Sequence, residues 1–328
     1  MSDWPQKGSN MQDGETLGTV NARHHWFDDL LSRARTLPAV SVAVVYPCSP
    51  VVLNAAVDVA EDGLLHPVLL GPEETIRSLA AQCGRDLSLC KIVCCPDAKA
   101  ASEYAVQLVH DGTVSLIMKG ALHTDMLLHA VLQHENGLRT GRRVSHVFVM
   151  DVPAYPRPLL VTDGVVNIAP DLACKADILR NAVALAHTLG LKIPKVAVLS
   201  AVETVTAALP STIDAAALSK MADRGQITGA LVDGPLAFDN AINMDAAREK
   251  EIVSPVAGQA DVLLVPDIEA GNMLAKQLTF LAGADAAGIV LGAKVPIILT
   301  SRADSERARV LSCVLGRLVA EDQATGHS

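Results

Sequence analysis

A chain of 328 residues, half of them apolar, is long enough for one large or two ordinary domains with a full hydrophobic core, and too apolar to be disordered throughout. Aromatic residues make up only 3% and the formal net charge is -9, so the stacking platforms and basic surface of a nucleic-acid binder are missing. An anionic ligand would have to be met locally, by a few cationic side chains and by backbone amides.

The chain opens on a polar segment, residues 1–22, read as a frayed tail without the apolar core of a secretory signal. From there, short runs rich in Val, Ile and Leu alternate with segments of helical period, the signature of βαβ units. Strands are predicted at 41–46, 67–70, 91–94, 115–118, 146–150 and 159–162, with helices over 51–60, 73–83, 98–110 and 126–134. The second half continues with strands at 196–199, 230–232, 262–265, 289–291 and 297–300, and helices over 173–189, 215–221, 273–281 and 305–319. These strands are apolar throughout rather than alternating, so both faces of each sheet should be covered, as parallel sheets require. The most apolar late stretch, 286–299, is short for a bilayer span and contains Lys294 and Pro296, which assigns it to buried strands. Seven cysteines without paired CxxC spacing fit neither a disulfide framework nor a zinc site, and point to reduced thiols in the cytoplasm.

Ligands of such folds sit at the carboxyl ends of the strands, so chemistry is sought in the strand-to-helix turns. In MKGALHTD, Lys119 and His123 flank a glycine turn where either side chain can meet an anion; a lone turn histidine is more often a solvated or structural residue. In DGPLAFDN, a Gly-Pro turn leaves Asp233 and Asp239 near a sheet edge, as ligand-orienting carboxylates or as caps. Gly271 and Asn272 are read as opening a helix, which would present free amides to phosphate or to a nucleotide, or as an ordinary turn. The last strand runs through Ser301, Arg302, Asp304 and Ser305 into a helix with an apolar face at Val310, Leu311, Val314, Leu315, Leu318 and Val319. That corner suits an oxyanion, with Arg302 adding forked donors; alternatively Ser301 or Asp304 simply caps the helix. No Walker-type loop, dinucleotide fingerprint, serine-hydrolase elbow or HExxH pair occurs, and the histidines are not grouped at metal-ligand spacing, so no metal is implied.

Five ordered blocks resemble the phosphate acetyl/butyryltransferase family over about residues 145–310: VTDGVVNIAPDLACKADILRNAVALAHTLGL, PKVAVLSAVE, SKMADRGQITGALVDGPLAFDNAIN, SPVAGQADVLLVPDIEAGNMLAKQL and GIVLGAKVPIILTSRADS. VAVVYPCSPVVLNAA, HPVLLGP and LIMKGALHTD match more loosely, and the wording of DGPLAFDNAI and TSRADS looks closer to the butyryl-type branch. The resemblance implies an α/β fold of two domains with mainly parallel sheets around a cleft, an architecture like that of isocitrate and isopropylmalate dehydrogenases. Residues 23–152 with 298–328 would form one domain and 153–297 the other, with a homodimer built largely through the second. The implied reaction moves an acyl group between coenzyme A and inorganic phosphate, giving acyl phosphate. Acetyl is the first choice and butyryl the alternative; coenzyme A is a substrate, and no cofactor is held permanently.

By the same resemblance Ser301 and Arg302 act at the acyl phosphate, and Asp233, Gly271 and Asn272 line the cleft. One departure stands out. Acetyl-type members carry an Asp seven residues after the Ser, proposed as the base for the thiol, where this chain has Ala308; Asp304 and Glu306 are the nearest substitutes. The Arg of acetyl-type members after the 120s turn has no obvious counterpart, His129 standing near its place. Two rival readings stay open: a metal- and nicotinamide-dependent decarboxylating dehydrogenase, and a homologue that binds coenzyme A without turnover.

Overall fold

A computed structural model describes residues 26–301 and 304–326. The expected tail, residues 1–22, and Arg302 lie outside the described residues. The chain alternates strand and helix in the order α1 (Trp26–Arg35), β1 (Val40–Val45), α2 (Pro50–Glu61), β2 (Leu65–Gly71), α3 (Glu73–Cys83), β3 (Lys91–Cys94), α4 (Ala98–His110), β4 (Leu116–Lys119) and α5 (Thr124–Val131). It continues with β5 (Ser145–Asp151), β6 (Leu159–Thr162), α6 (Leu172–Thr188), β7 (Lys195–Leu199), α7 (Pro210–Asp223), β8 (Leu231–Leu236), α8 (Phe238–Ile242) and α9 (Met244–Glu249). The last elements are β9 (Val262–Leu264), α10 (Ile268–Phe280), β10 (Asp285–Leu291), β11 (Ile297–Ile298) and α11 (Glu306–Thr325).

All these strands join one sheet, in the order β3-β2-β1-β4-β11-β10-β5-β6-β9-β7-β8. The pairings are parallel from β3 to β11 and again from β6 to β8. Between these blocks, β10 runs antiparallel to both β11 and β5, and β5 antiparallel to β6. The mainly parallel character follows from the composition: β4, β6 and β9 are buried at every position, so helices must cover both faces. Among the described residues no helix is long and apolar enough to cross a membrane.

The strand-to-helix corners are built by repeated side-chain caps. Asp97, Asp171 and Asp267 each accept the amide three residues on, at 2.8, 2.8 and 2.9 Å, and so start α4, α6 and α10. The last of these overturns one sequence expectation. Because Asp267 caps α10, that helix begins at Ile268, and Gly271 and Asn272 fall inside it rather than opening it. The Gly271 amide already donates to the Asp267 carbonyl at 3.2 Å, so it offers no free donor. Likewise α11 is capped by Ser305, whose hydroxyl accepts from the Ala308 amide at 3.1 Å, and not by Ser301 or Asp304. Three elements were not foreseen: α8 and α9, too short at five and six residues to carry a pattern, and α1, whose apolar face at Phe27, Leu30 and Ala34 follows the polar opening of the chain.

The C-terminal α11 returns across the molecule to pack on β10, α2 and α1. It is buried on nearly all sides from Arg309 to Ala320, which is how one helix lies against elements from both ends of the chain. Beside it, the loops after β1 and β4 lean on each other. A Cβ on Gly120 would come within 2.2 Å of the Val45 carbonyl oxygen and 2.3 Å of that of Tyr46. Backbone atoms cannot yield as a side-chain tip can, so only glycine fits this approach. Gly120→Ala should therefore destabilise the fold by about 1–3 kcal/mol, read as a lower denaturant midpoint at unchanged slope; an unchanged midpoint would show that the loops are not so tightly joined.

Candidate active site

At the carboxyl ends of β4 and β11, a cavity of about 740 Å³ opens against α10, β10 and β5. Its lining gathers Lys119, His123, Asn272, Ser301 and Asp304 of the sequence candidates, together with His146, Lys276, Thr300 and Ala308. The topology delivers these residues from four stretches of chain. Lys119 ends β4, His123 is the N-cap position of α5, and Ser301 and Asp304 form the corner between β11 and α11.

Hydrogen bonds fix that corner. The Asp304 carboxylate accepts the Ser301 amide at 2.6 Å, and the Asp304 amide donates back to the Ser301 carbonyl at 3.2 Å. The Ser301 N–H is thus engaged within the turn. Arg309, one turn into α11, is 3% exposed. Its guanidinium donates to Thr300 Oγ1 and, at 2.7 Å, to the Ser301 carbonyl. Burial pushes the Asp304 carboxyl above its ordinary value, against the Ser301 amide and the nearby Arg309, Lys276 and Lys119. A carboxylate in this state is a better proton acceptor than a solvated one. Glu306, the other acidic neighbour considered in the sequence, is not part of the lining; its carboxyl bonds Asp58, which raises its pKa.

Two candidates stand elsewhere. Asp233 lies on β8 at the far edge of the sheet, with β10, β5, β6, β9 and β7 between it and β11. Its carboxylate accepts the neighbouring Gly234 amide at 2.9 Å, the turn-capping role weighed above. Gly271 is a packing residue: an added Cβ would meet Val265 Cγ2 at 2.8 Å and Gly164 Cα at 2.9 Å, so it lets α10 close on the loop after β6. Asn272 reinforces that contact, its Nδ2 donating to the Gly164 carbonyl at 3.1 Å, and still borders the cavity.

Sequence reasoning did not single out Arg309 or His146. For Arg309 a signal existed: a cation in the first turns of a helix opposes the helix dipole and implies a partner. His146 sits within an apolar strand. Its ring is fully buried, packs edge-on to Phe148 with centroids 4.3 Å apart, and borders the cavity. The Leu299 carbonyl lies alongside without completing a hydrogen bond to either ring nitrogen. Burial drives the imidazole down to about 4 against the pull of Asp163, so the ring is neutral near pH 7. The Asp163 carboxylate is itself held by the amides of Val165, Val166 and Asn167 at 2.9, 3.0 and 3.1 Å.

Comparison with known proteins follows the same lines. The family model described as phosphate acetyl/butaryl transferase matches residues 98–316. The "Phosphate acetyltransferase" of Rhizobium meliloti is 57% identical over 295 residues, covering 90% of this chain and 93% of that protein. The "Phosphate butyryltransferase" of Clostridium beijerinckii is 42% identical over 294 residues, covering 90% and 97%. Among solved structures, a branched-chain phosphotransacylase from Enterococcus faecalis V583 superposes with a TM-score of 0.75 at 32% identity, covering 85% of this chain and 99% of the other.

The buried imidazole has a consequence for acid stability. Its folded pKa is depressed below the unfolded value near 6.5, so the unfolded chain takes up the proton first and stability falls as pH drops from 6.5 through 4. This group should account for a loss of about 3 kcal/mol by pH 4. Denaturant midpoints of wild type and His146→Gln across pH 4–7 check it: the variant should show the shallower slope, and parallel curves would contradict the assignment.

Proposed function

The chain belongs to the phosphate acetyl/butaryl transferase family, and from that premise we propose that the 740 Å³ cavity exchanges an acyl group between coenzyme A and inorganic phosphate. The observation that carries this reading is the Thr300–Ser301 corner, clamped by Arg309 and Asp304 on the rim of a cavity bordered by two lysines. Such a site suits anionic substrates and a carbonyl that develops negative charge.

In the direction of acyl phosphate, a phosphate oxygen attacks the thioester carbonyl, the new C–O bond forms and the carbonyl oxygen takes the charge. Collapse breaks the C–S bond and releases the thiolate of coenzyme A, which takes the proton that the phosphate gives up. The Ser301 hydroxyl donates to the oxyanion; removal of one such donor typically costs about 3 kcal/mol of barrier. In the reverse direction the thiol must ionise, and an unperturbed thiol of pKa about 8.5 is only a few per cent thiolate at neutral pH. Asp304 is assigned as the acceptor of that proton. It borders the cavity and its pKa is raised by burial, whereas Ala308 carries no carboxylate. Arg302 is assigned to the phosphate by resemblance alone. His123, Lys119 and Lys276 supply the remaining polar rim, and holding both substrates in one cavity removes much of the entropic barrier.

Acetyl is the proposed acyl group, because the acetyltransferase from Rhizobium meliloti is the more similar of the two relatives; butyryl is the second reading. Coenzyme A is the acyl carrier and a substrate rather than a resident cofactor. Two lobes, residues 23–152 with 298–328 and residues 153–297, are supported by the lining, which draws on 119–148 and 299–308 from one and on 165 and 272–288 from the other. A homodimer through the second lobe is supported by Ile213 and by Leu231 of the edge strand β8, both left exposed. Seven free cysteines support a reducing, cytoplasmic setting.

Thiol release from acetyl-CoA and butyryl-CoA, with and without phosphate, is the direct assay. Phosphate-dependent release is expected, with Ser301→Ala lowering kcat about 10²–10³-fold at an unchanged melting temperature. Silence with both thioesters, or full activity of the variant, would refute the reading.

A further inference from the structure

In the sheet order, the chain leaves β1 toward β2 on one side, while β4 pairs β1 on the other. The carboxyl ends of β1 and β4 therefore flank a topological switch point, where an open α/β sheet forms a crevice. A second, smaller cavity of about 170 Å³ lies there, bordered by Ser49, Val52, Lys119, Thr300 and Arg309 among others. Lys119 and Thr300 also border the large cavity, so the two compartments share a wall.

Three features of the small compartment match a tetrahedral oxyanion. It holds the N-terminus of α2, a helix of 12 residues whose Pro50 brings no N–H and whose N-cap Ser49 makes no side-chain cap bond. The first-turn amides of that helix are thus left uncapped by the residue best placed to cap them, at the positive end of the dipole. Lys119 and Arg309, 5% and 3% exposed, place two cations in its wall. Finally, Arg309 Nε is buried without a hydrogen-bond partner, although the rest of the guanidinium is engaged by Thr300 and Ser301. A buried donor on a charged group is rarely left unmet, and an anion in this compartment would meet it. Asp304, whose carboxylate accepts the Ser301 amide, is not among the residues lining this compartment.

We propose that this compartment is the subsite of the inorganic phosphate co-substrate, and of the phosphoryl end of acyl phosphate in the reverse direction, while the thioester arm of acyl-CoA occupies the large cavity. The assignment rests on the phosphate acyltransferase reading. Size separates the substrates: the small compartment admits a phosphate and is too small for a pantetheine arm. The attacking oxygen then approaches the carbonyl over Thr300, which with Lys119 borders both cavities.

Ser49→Asp tests the assignment. Aspartate is as good an N-cap as serine, so α2 is retained, but its carboxylate faces the bound oxyanion. The KM for phosphate should rise about tenfold or more while that for acyl-CoA changes less than about twofold, and Ser49→Ala should give a smaller rise in the same constant. A phosphate KM unchanged in Ser49→Asp would overturn the proposal. So would a rise confined to acyl-CoA, which would give the compartment to a phosphate group of coenzyme A. A separate readout does not depend on turnover: inorganic phosphate alone should raise the Tm of wild type and not that of Ser49→Asp. No rise in wild type, or an equal rise in both, would likewise overturn it. If wild type releases no thiol with phosphate yet shows the Ser49-dependent rise in Tm, the acyltransfer reading fails while the anion site stands.

Discussion

The site depends on a buried arginine placed where a helix least favours one. Arg309 lies near the N-terminus of α11, so the helix dipole and the loss of water both act against its charge. Burial lowers its pKa, and Asp304 is the principal group opposing that shift. What offsets the cost is the corner itself: Thr300 and the Ser301 carbonyl accept from the guanidinium, and Asp304 supplies the countercharge while holding the Ser301 amide. Remove the arginine and the turn loses the clamp that keeps Ser301 on the cavity rim.

That arginine is in place because α11 returns across the molecule. The helix packs on β10, α2 and α1, and its buried faces bring residues near the end of the chain against elements formed near its beginning. The antiparallel run β11-β10-β5-β6 joins the two parallel blocks and carries the wall of the large cavity between them. The tight approach at Gly120 brings the loops after β1 and β4 together. Acyl chemistry and phosphate binding are thereby proposed on opposite sides of a wall shared by Lys119 and Thr300.

Much of this was legible in the sequence, and the failures have physical causes. Apolar runs marked the strands because a parallel sheet leaves no polar face; 159–162 coincides with β6, buried at every position, and 91–94 with β3, the edge strand, none of whose residues is buried. The corner at Ser301 to Asp304 was visible as a strand running straight into an amphipathic helix. The start of α10 was misread because the Asp267 cap went unrecognised, which moved Gly271 and Asn272 to a helix end they do not occupy. Asp233 resembled its partners in local pattern, and only the strand order places it at the far edge of the sheet. His146 was hidden within an apolar strand and Arg309 among the charged residues that open α11, since periodicity reports burial and not what a buried polar group faces.

The most direct measurement is a crystal structure of the chain with a non-reactive acetyl-CoA analogue. The account places the carbonyl oxygen about 2.7–3.1 Å from the Ser301 hydroxyl, with the Arg309 clamp on Thr300 and Ser301 intact. A thioester bound away from Ser301, or a corner that opens and releases Arg309 when the ligand binds, would contradict it.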